Sequence, residues 1–118
     1  MRAKDGVGRY GERVAARHLE DQGCEILARN WRCRDGELDI LARDGGVLVV
    51  CEVKTRSSAA FGDPGEAVDR RKAQRIRGLA ARWLAEQETG WPEVRFDVVC
   101  VMRRPAGAAA VRHLKAAF

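Results

Sequence analysis

The chain has 118 residues, with 22 Lys plus Arg against 17 Asp plus Glu and a formal net charge of +5 at pH 7. A chain of this length can bury one hydrophobic core, so we expect a single domain over 1–118. Its hydrophobic fraction of 46% excludes general disorder, and no apolar run approaches the roughly 20 residues of a membrane-spanning helix. The basic N-terminus lacks an apolar signal core, which predicts a cytoplasmic protein. The small positive charge permits a polyanionic partner without requiring one.

Hydrophobic periodicity predicts two helices and five strands. In chain order, these are a helix over 6–22, strands over 24–31, 37–43 and 47–54, a loop over 55–65, a helix over 66–87, and strands over 96–102 and 111–114. The two glycines that follow Asp44 indicate a tight hairpin between the second and third strands. The order α-β-β-β-α-β-β predicts an α/β fold, with a mixed, largely antiparallel sheet covered by helices on opposite faces.

Glu12 is an acidic residue on a helical stripe of small and apolar residues. The stripe consists of Gly8, Glu12, Ala15, Ala16 and Leu19. Two interpretations are open. Glu12 either has a structural role, as the exposed edge of the stripe or as a partner for Arg9 or Arg13, or points into a functional site.

Acidic residues also interrupt two apolar strands, at Asp39 and Glu52. A carboxylate in such a place is costly unless it has a hydrogen-bond partner, a cation or a metal ion. If the two glycines form the hairpin turn, Asp44 pairs with Val47, and the same register places Asp39 directly opposite Glu52. A turn shifted by one residue would make them diagonal neighbours on one face. The sequence therefore predicts that the two carboxylates lie close together.

Lys54 lies two residues beyond Glu52 and projects from the same face of its strand. An Asp, Glu and Lys cluster suits a hard divalent cation, whose coordination can be completed by water and phosphate. The lysine could then orient or deprotonate an attacking water, or stabilise charge on the phosphate. The alternative is a buried salt-bridge network without a metal ion.

These residues resemble a known family. Asp39 followed by Glu52-Val53-Lys54 is similar to the D…(D/E)-x-K signature of restriction-endonuclease-like nucleases. Further matching segments are Gly8…Gly11-Glu12, Asn30-Trp31-Arg32-Cys33-Arg34, Gly36-Glu37-Leu38-Asp39-Ile40, Thr55-Arg56, Phe61-Gly62, Ala67-Val68 with Lys72, Arg95-Phe96-Asp97-Val98-Val99 and Ala117-Phe118. The chain is identified as a member of the YraN-like family of small bacterial proteins, predicted nucleases similar in fold to archaeal Holliday-junction resolvases.

The resemblance implies a restriction-endonuclease-like domain and an endonuclease that hydrolyses phosphodiester bonds in DNA, with branched or flap structures as candidate substrates. It implies that Asp39 and Glu52 bind Mg²⁺ or Mn²⁺ and that Lys54 is the catalytic lysine. Glu12 corresponds to an acid on the first helix of the resolvase-like branch, and so joins the catalytic and metal-binding residues. Contacts with nucleic-acid phosphates are expected from Arg32, Arg34, Arg56 and Lys72.

Two other functions stay open. The chain could be a non-catalytic nucleic-acid-binding module, or a structural partner of DNA-processing proteins in which the acids form a salt-bridge network. Asp39, Glu52 and Lys54 favour the nuclease, because a pure binding module gains nothing from carboxylates that repel phosphate. A homodimer is compatible with the symmetric cutting of two strands. Glu37 shares a face with Asp39 by parity and is a candidate outer acid.

The four cysteines and two histidines carry no recognisable metal or nucleophile motif. No two cysteines form a C-x-x-C pair, so we expect buried thiols. His18 and His113 lie far apart in the chain, and packing or surface roles are expected for them.

Overall fold

The computed structural model describes residues 6–56 and 68–118. The described elements are α1 (Gly6–Asp21), β1 (Glu25–Cys33), β2 (Gly36–Asp44), β3 (Val47–Arg56), α2 (Arg70–Ala85), β4 (Glu93–Met102) and β5 (Ala110–Leu114). Their order is the predicted one. The predicted loop beyond residue 56 and the predicted helix start at 66–67 lie outside the described residues. The prediction that Thr55 and Arg56 open the loop is wrong, because both residues pair with β4 and extend β3.

The strands form one sheet in the order β1-β2-β3-β4-β5. β3 and β4 are parallel, and the other neighbouring pairs are antiparallel. A parallel pair needs a crossover connection, and α2 lies on the chain between these two strands. The predicted α/β class with a mixed, largely antiparallel sheet is confirmed. No helix in the ranges 6–56 and 68–118 is long and apolar enough to cross a bilayer.

Within the described ranges, one helix covers each face of the sheet. Along β3, Val49 and Cys51 pack in the core under α1, whereas Leu48 and Val50 pack in the core under α2. This alternation is the period-two pattern of a strand that is buried on both sides. The helices contribute the apolar residues Ala15, Ala16, Leu19, Ile76, Leu79, Ala80 and Trp83. The predicted arrangement of helices on opposite faces is confirmed.

The start of α2 differs from the prediction. The predicted helix includes Val68 and Asp69, but both precede the first helical residue, Arg70. Asp69 is the N-cap: its backbone is extended, and its carboxylate accepts the N–H of Lys72 at 2.8 Å. A side chain that caps the helix in this way fixes where the helix begins.

The cysteines are free thiols. Cys24, Cys51 and Cys100 are buried, as predicted, whereas Cys33 is half-buried. Burial raises the pKa of the Cys24 thiol, and raises that of Cys51 more strongly. Protonated, buried thiols are weak nucleophiles, so these residues serve as core packing.

Candidate active site

β2 and β3 part at Asp39. Their antiparallel ladder follows the predicted register from the hairpin turn to the pair Ile40 and Cys51. At the next position, Oδ2 of Asp39 accepts the N–H of Val53 at 2.9 Å. A side chain, instead of a backbone carbonyl, therefore bonds the neighbouring strand at this point. Asp39 is only 8% exposed.

The regular alternation of β2 is interrupted at the same level. Leu38 packs in the core under α2, whereas Ile40 packs in the core under α1, although the two residues are two positions apart. On the neighbouring strand β1, Asn30 lies between Arg29, which pairs with Ile40, and Trp31, which pairs with Leu38, and it has a φ of 53°. Asparagine tolerates this left-handed conformation better than most residues. The irregular backbone on both strands marks the position of the buried carboxylate.

Glu52 is in contact with Asp39 and with a lysine. Its carboxyl group shares a hydrogen bond with that of Asp39, and Nζ of Lys72 lies 2.6 Å from Glu52 Oε2. Burial, together with the hydrogen bond and negative charge of Asp39, raises the pKa of Glu52 to about 7, against the opposing effect of Lys72. The predicted proximity of the two carboxylates is confirmed. Lys72, predicted as a phosphate contact, forms an ion pair with Glu52.

Lys54 is a further cation beside Glu52, and Arg56 in turn acts on Lys54. Burial, followed by the positive charges of Arg56 and Lys72, lowers the pKa of Lys54, while the charge of Glu52 acts in the opposite sense. Lys54 and Arg56 follow Glu52 at alternate positions of β3. A lysine with a lowered pKa is a candidate for acid–base chemistry.

Glu12 is 1% exposed and lies on α1. Nδ2 of Asn30 donates to Glu12 Oε1, and Nε of Arg29 lies 3.6 Å from the same oxygen. The exposed-edge interpretation is therefore wrong. Because the pairs on either side of Asn30 bracket Asp39, the acid on α1 reaches the sheet at about the level of that carboxylate. No three His, Cys, Asp or Glu side chains within 6–56 and 68–118 form a metal-binding group, so a ligand role for Glu12 stays a prediction.

Gly11 allows α1 to approach β3 closely. A Cβ atom at this position would overlap Oγ1 of Thr55, the residue between Lys54 and Arg56. Glycine is used where another backbone or side chain approaches this near. The contact fixes the distance between α1, which carries Glu12, and the strand that carries Glu52.

The remaining predicted phosphate contacts lie elsewhere. Nε of Arg32 pairs with Glu37 at 2.9 Å, and Arg34 is exposed in the turn that follows β1. An ion pair ties this turn to Arg82 in the last turn of α2, about 15 Å along the helix from Lys72. These contacts do not bring Arg32 or Arg34 to the carboxylates, and their role in nucleic-acid binding stays a prediction.

A second buried polar network is centred on Asp97, whose buried position was not predicted from the sequence. Asp97 is 0% exposed and accepts hydrogen bonds from Arg95 and from the backbone of Ala116, while Nε2 of His113 lies 2.8 Å from its Oδ2. Nδ1 of His113 is 3.0 Å from Nε2 of His18. Burial alone would raise the pKa of Asp97, but these hydrogen bonds outweigh it and lower the pKa. The available signal was the same as for Asp39: an acid inside an apolar strand.

The five-stranded mixed sheet and its two flanking helices define an α/β protein, an architecture consistent with the restriction-endonuclease-like fold. The chain belongs to the family described as uncharacterised protein family UPF0102, whose model matches residues 11–101. This confirms the membership of the YraN-like family that the sequence motifs predict.

Bacterial relatives match along nearly the whole chain. A UPF0102 protein of Beutenbergia cavernae is 65% identical over 115 residues, which cover 98% of each chain. A UPF0102 protein of Frankia alni is 62% identical over 118 residues, covering 100% of this chain and 98% of the relative. One from Nocardia farcinica is 54% identical over 115 residues, covering 98% of this chain and 91% of the relative.

Proposed function

We propose that the protein is a Mg²⁺- or Mn²⁺-dependent endonuclease that hydrolyses phosphodiester bonds in DNA. The observation that carries the proposal is the hydrogen-bonded pair of Asp39 and Glu52, with Lys54 and Lys72 beside it, where β2 and β3 part. A structural ion pair with one lysine needs only one acid. The second acid raises the cost of burial and calls for a stronger cation than lysine.

The donor set fits a hard divalent cation. Asp39 and Glu52 would hold it through carboxylate oxygens, which Mg²⁺ and Mn²⁺ prefer, and Glu12 is the third candidate. Without a metal ion, a shared proton and the charge of Lys72 offset the repulsion between the two carboxylates. A bound cation supplies Lewis-acid stabilisation of phosphoryl oxygens and lowers the pKa of water.

Lys54 would handle the proton of the attacking water. Its Nζ can accept that proton when the amine is neutral, or donate a hydrogen bond to a phosphate oxygen when it is charged. Lys72 would hold Glu52 in place until the cation enters, and it would then be released to face the phosphate. Arg56, the next residue on that face of β3, would bind the substrate backbone.

The ion pair between Lys72 and Glu52 also favours a second function. A non-catalytic nucleic-acid-binding module would keep this pair as part of a permanent salt-bridge network. Such a protein would bind DNA and would not cut it. The two functions therefore differ in one measurable property, which is metal-dependent cleavage.

The test uses the full chain with supercoiled, flap and four-way-junction DNA, in Mg²⁺, in Mn²⁺ and in chelator. We expect cleavage with either metal ion and none in chelator. Asp39→Asn and Lys54→Met should each lower the rate by about 100-fold or more, as the loss of an acid–base or charge-stabilising group typically does.

Matched controls are Asp35→Asn and Lys115→Met, which remove the same charges from exposed positions and should leave the rate unchanged. The proposal fails if no substrate is cut under any condition. It also fails if Asp39→Asn and Lys54→Met cut as fast as the unmodified chain. Binding without cleavage would identify the non-catalytic module.

A further inference from the structure

Two arginines from distant parts of the chain meet over one aromatic ring. Cζ of Arg13 on α1 lies 6.0 Å from the ring centre of Tyr10, and Cζ of Arg103, just after β4, lies 5.4 Å from it. Both arginine side chains are exposed, and the ring packs partly against the core under α1. The negative face of an aromatic ring attracts guanidinium groups, so Tyr10 holds the two charges near each other.

Arg56 continues this group toward the carboxylates. The backbone N–H of Arg103 donates to the carbonyl oxygen of Arg56 at 2.7 Å, so the two residues are adjacent at the end of the sheet. The charge of Arg56 in turn acts on Lys54. Positive charge therefore extends from Lys54 through Arg56 to the arginines at Tyr10. We call Arg13, Arg56 and Arg103 the arginine cluster.

Among the residues that the structure describes, the cluster has no acidic partner. Within the ranges 6–56 and 68–118, none of its members forms an ion pair with a carboxylate. Arg17, one turn further along α1 than Arg13, does pair with Asp21, at 3.8 Å. Arginines that converge from separate elements repel one another, and an anion that accepts several N–H groups offsets this repulsion. Phosphate oxygens have this chemistry.

We propose that the arginine cluster binds backbone phosphates of a nucleic-acid strand that continues past Lys54 from the carboxylates, and that Tyr10 is a positioning residue for Arg13 and Arg103. The inference rests on the proposed function, because it gives the substrate its path beside the site. Because the cluster is proposed to act in binding, its role can be tested by DNA affinity without measuring cleavage.

The test measures the affinity of the full chain for a labelled single strand and for its duplex, by fluorescence anisotropy in chelator over a series of salt concentrations. The double variant Arg13→Gln and Arg103→Gln should bind roughly tenfold or more weakly at low salt. The slope of log affinity against log salt should fall by about 1 for each lost phosphate contact. Arg17→Gln, on the same helix, should keep the affinity and slope of the unmodified chain.

Tyr10 needs a separate readout, because it also packs against the core. Tyr10→Phe retains the ring and should keep the salt slope, whereas Tyr10→Leu should lower it. If Tyr10 only packs, Tyr10→Leu lowers the unfolding temperature and leaves the slope unchanged, and the positioning role is overturned.

The cluster itself is overturned if the double arginine variant keeps the affinity and slope of the unmodified chain, or if that chain binds neither form of DNA. Tighter binding of the single strand would show that the cluster binds unpaired DNA. Tighter or equal binding of the duplex would show that it binds paired DNA. Either result supports the cluster. Salt-dependent binding through the cluster without any cleavage would support it while overturning the nuclease.

Discussion

Asp39 and Glu52 are held together in a place where burial and the neighbouring Asp39 carboxyl group raise the pKa of Glu52. The Asp39 residue is 8% exposed and the Glu52 side chain 14%, and their hydrogen bond needs a proton on one of the two carboxyl groups. At a pH where both would ionise, their repulsion costs folding free energy. Stability lost in this way is typical of residues selected for binding or chemistry.

We therefore predict that Glu52→Gln stabilises the metal-free protein at pH 8, by on the order of 1 kcal/mol. The N–H of the new amide can donate to Asp39 without either carboxyl group having to be protonated. One of the two repelling charges is also removed. Lys72, which loses its partner, is 29% exposed and can turn to water. The measurement is the free energy of unfolding in urea, with chelator present.

With metal ions present, the unmodified chain should instead be more stable than Glu52→Gln. Saturating Mn²⁺ should raise the stability of the unmodified chain, by about 2.7 kcal/mol at one hundred times the dissociation constant, and should leave Glu52→Gln nearly unchanged. The exposed Glu20→Gln is the control, with little change in either condition. Equal stabilisation of all three proteins by Mn²⁺ would contradict a metal site at Glu52.

At the scale of elements, the contact between α1 and β3 sets the position of Glu12. Gly11 is the closest point of this contact, because a Cβ there overlaps Thr55. Helix propensity alone would make Gly→Ala favourable by up to about 1 kcal/mol. Overpacking costs typically 1–3 kcal/mol, and the overlap is with a β-branched side chain on a central strand. The packing cost should therefore exceed the gain in helix propensity, so that Gly11→Ala lowers the free energy of unfolding.

We predict that Gly11→Ala destabilises the protein by about 1–2 kcal/mol, measured as the free energy of unfolding in urea. Gly78→Ala is the matched control, since Gly78 is exposed on α2 and a Cβ there meets no atom within 4 Å. That control should gain about 0.5–1 kcal/mol. A gain for Gly11→Ala as large as that for Gly78→Ala would show that the helix can shift freely.

Elements and register were predictable where a local pattern determines them. The hairpin turn fixed the register of β2 on β3, because a slip of one residue would turn the core side chains to the opposite face of the sheet. The start of α2 was not predicted, because Asp69 could equally have been a helical residue. The contact of Lys72 with Glu52 depends on how α2 docks, and that of His18 with His113 on how β5 pairs. Neither follows from spacing in the sequence.

At the scale of the whole molecule, Asp97 connects distant parts of the chain. It accepts from Arg95 on its own strand and from the backbone of Ala116, and it lies beside His113 of β5, which contacts His18 of α1. Arg95 also binds Asp44 at the end of β2. Protonation in this network is thus coupled to the packing of one helix and three strands.

We predict that the free energy of unfolding decreases in two stages as the pH is lowered. The pKa of His18 is lowered, by burial first and then by His113, so its contribution is present above about pH 6.5 and is lost below it. The pKa of Asp97 is also lowered, so its contribution is present above about pH 4 and is lost as the pH falls further. Unfolding free energies in urea, measured across this range, would record both stages.

Asp97→Asn should remove the lower stage and cost about 3 kcal/mol at pH 7, because it leaves Arg95 charged and only 17% exposed. His18→Gln should remove the upper stage alone. Asp35→Asn, in an exposed ion pair, should change neither stage. A pH profile for Asp97→Asn that parallels the unmodified one would exclude Asp97 as the source.

The parallel pairing of β3 with β4 also has a consequence for the order of folding. The β2–β3 hairpin closes across two glycines, whereas β3 and β4 can pair only after the long segment containing α2 has closed into a loop. The two carboxylates are therefore expected to meet early, in a local hairpin. Lys72 lies on α2, outside this hairpin, so the two carboxylates are expected to meet before the ion pair between Lys72 and Glu52 forms, with Lys54 of β3 as the nearby cation.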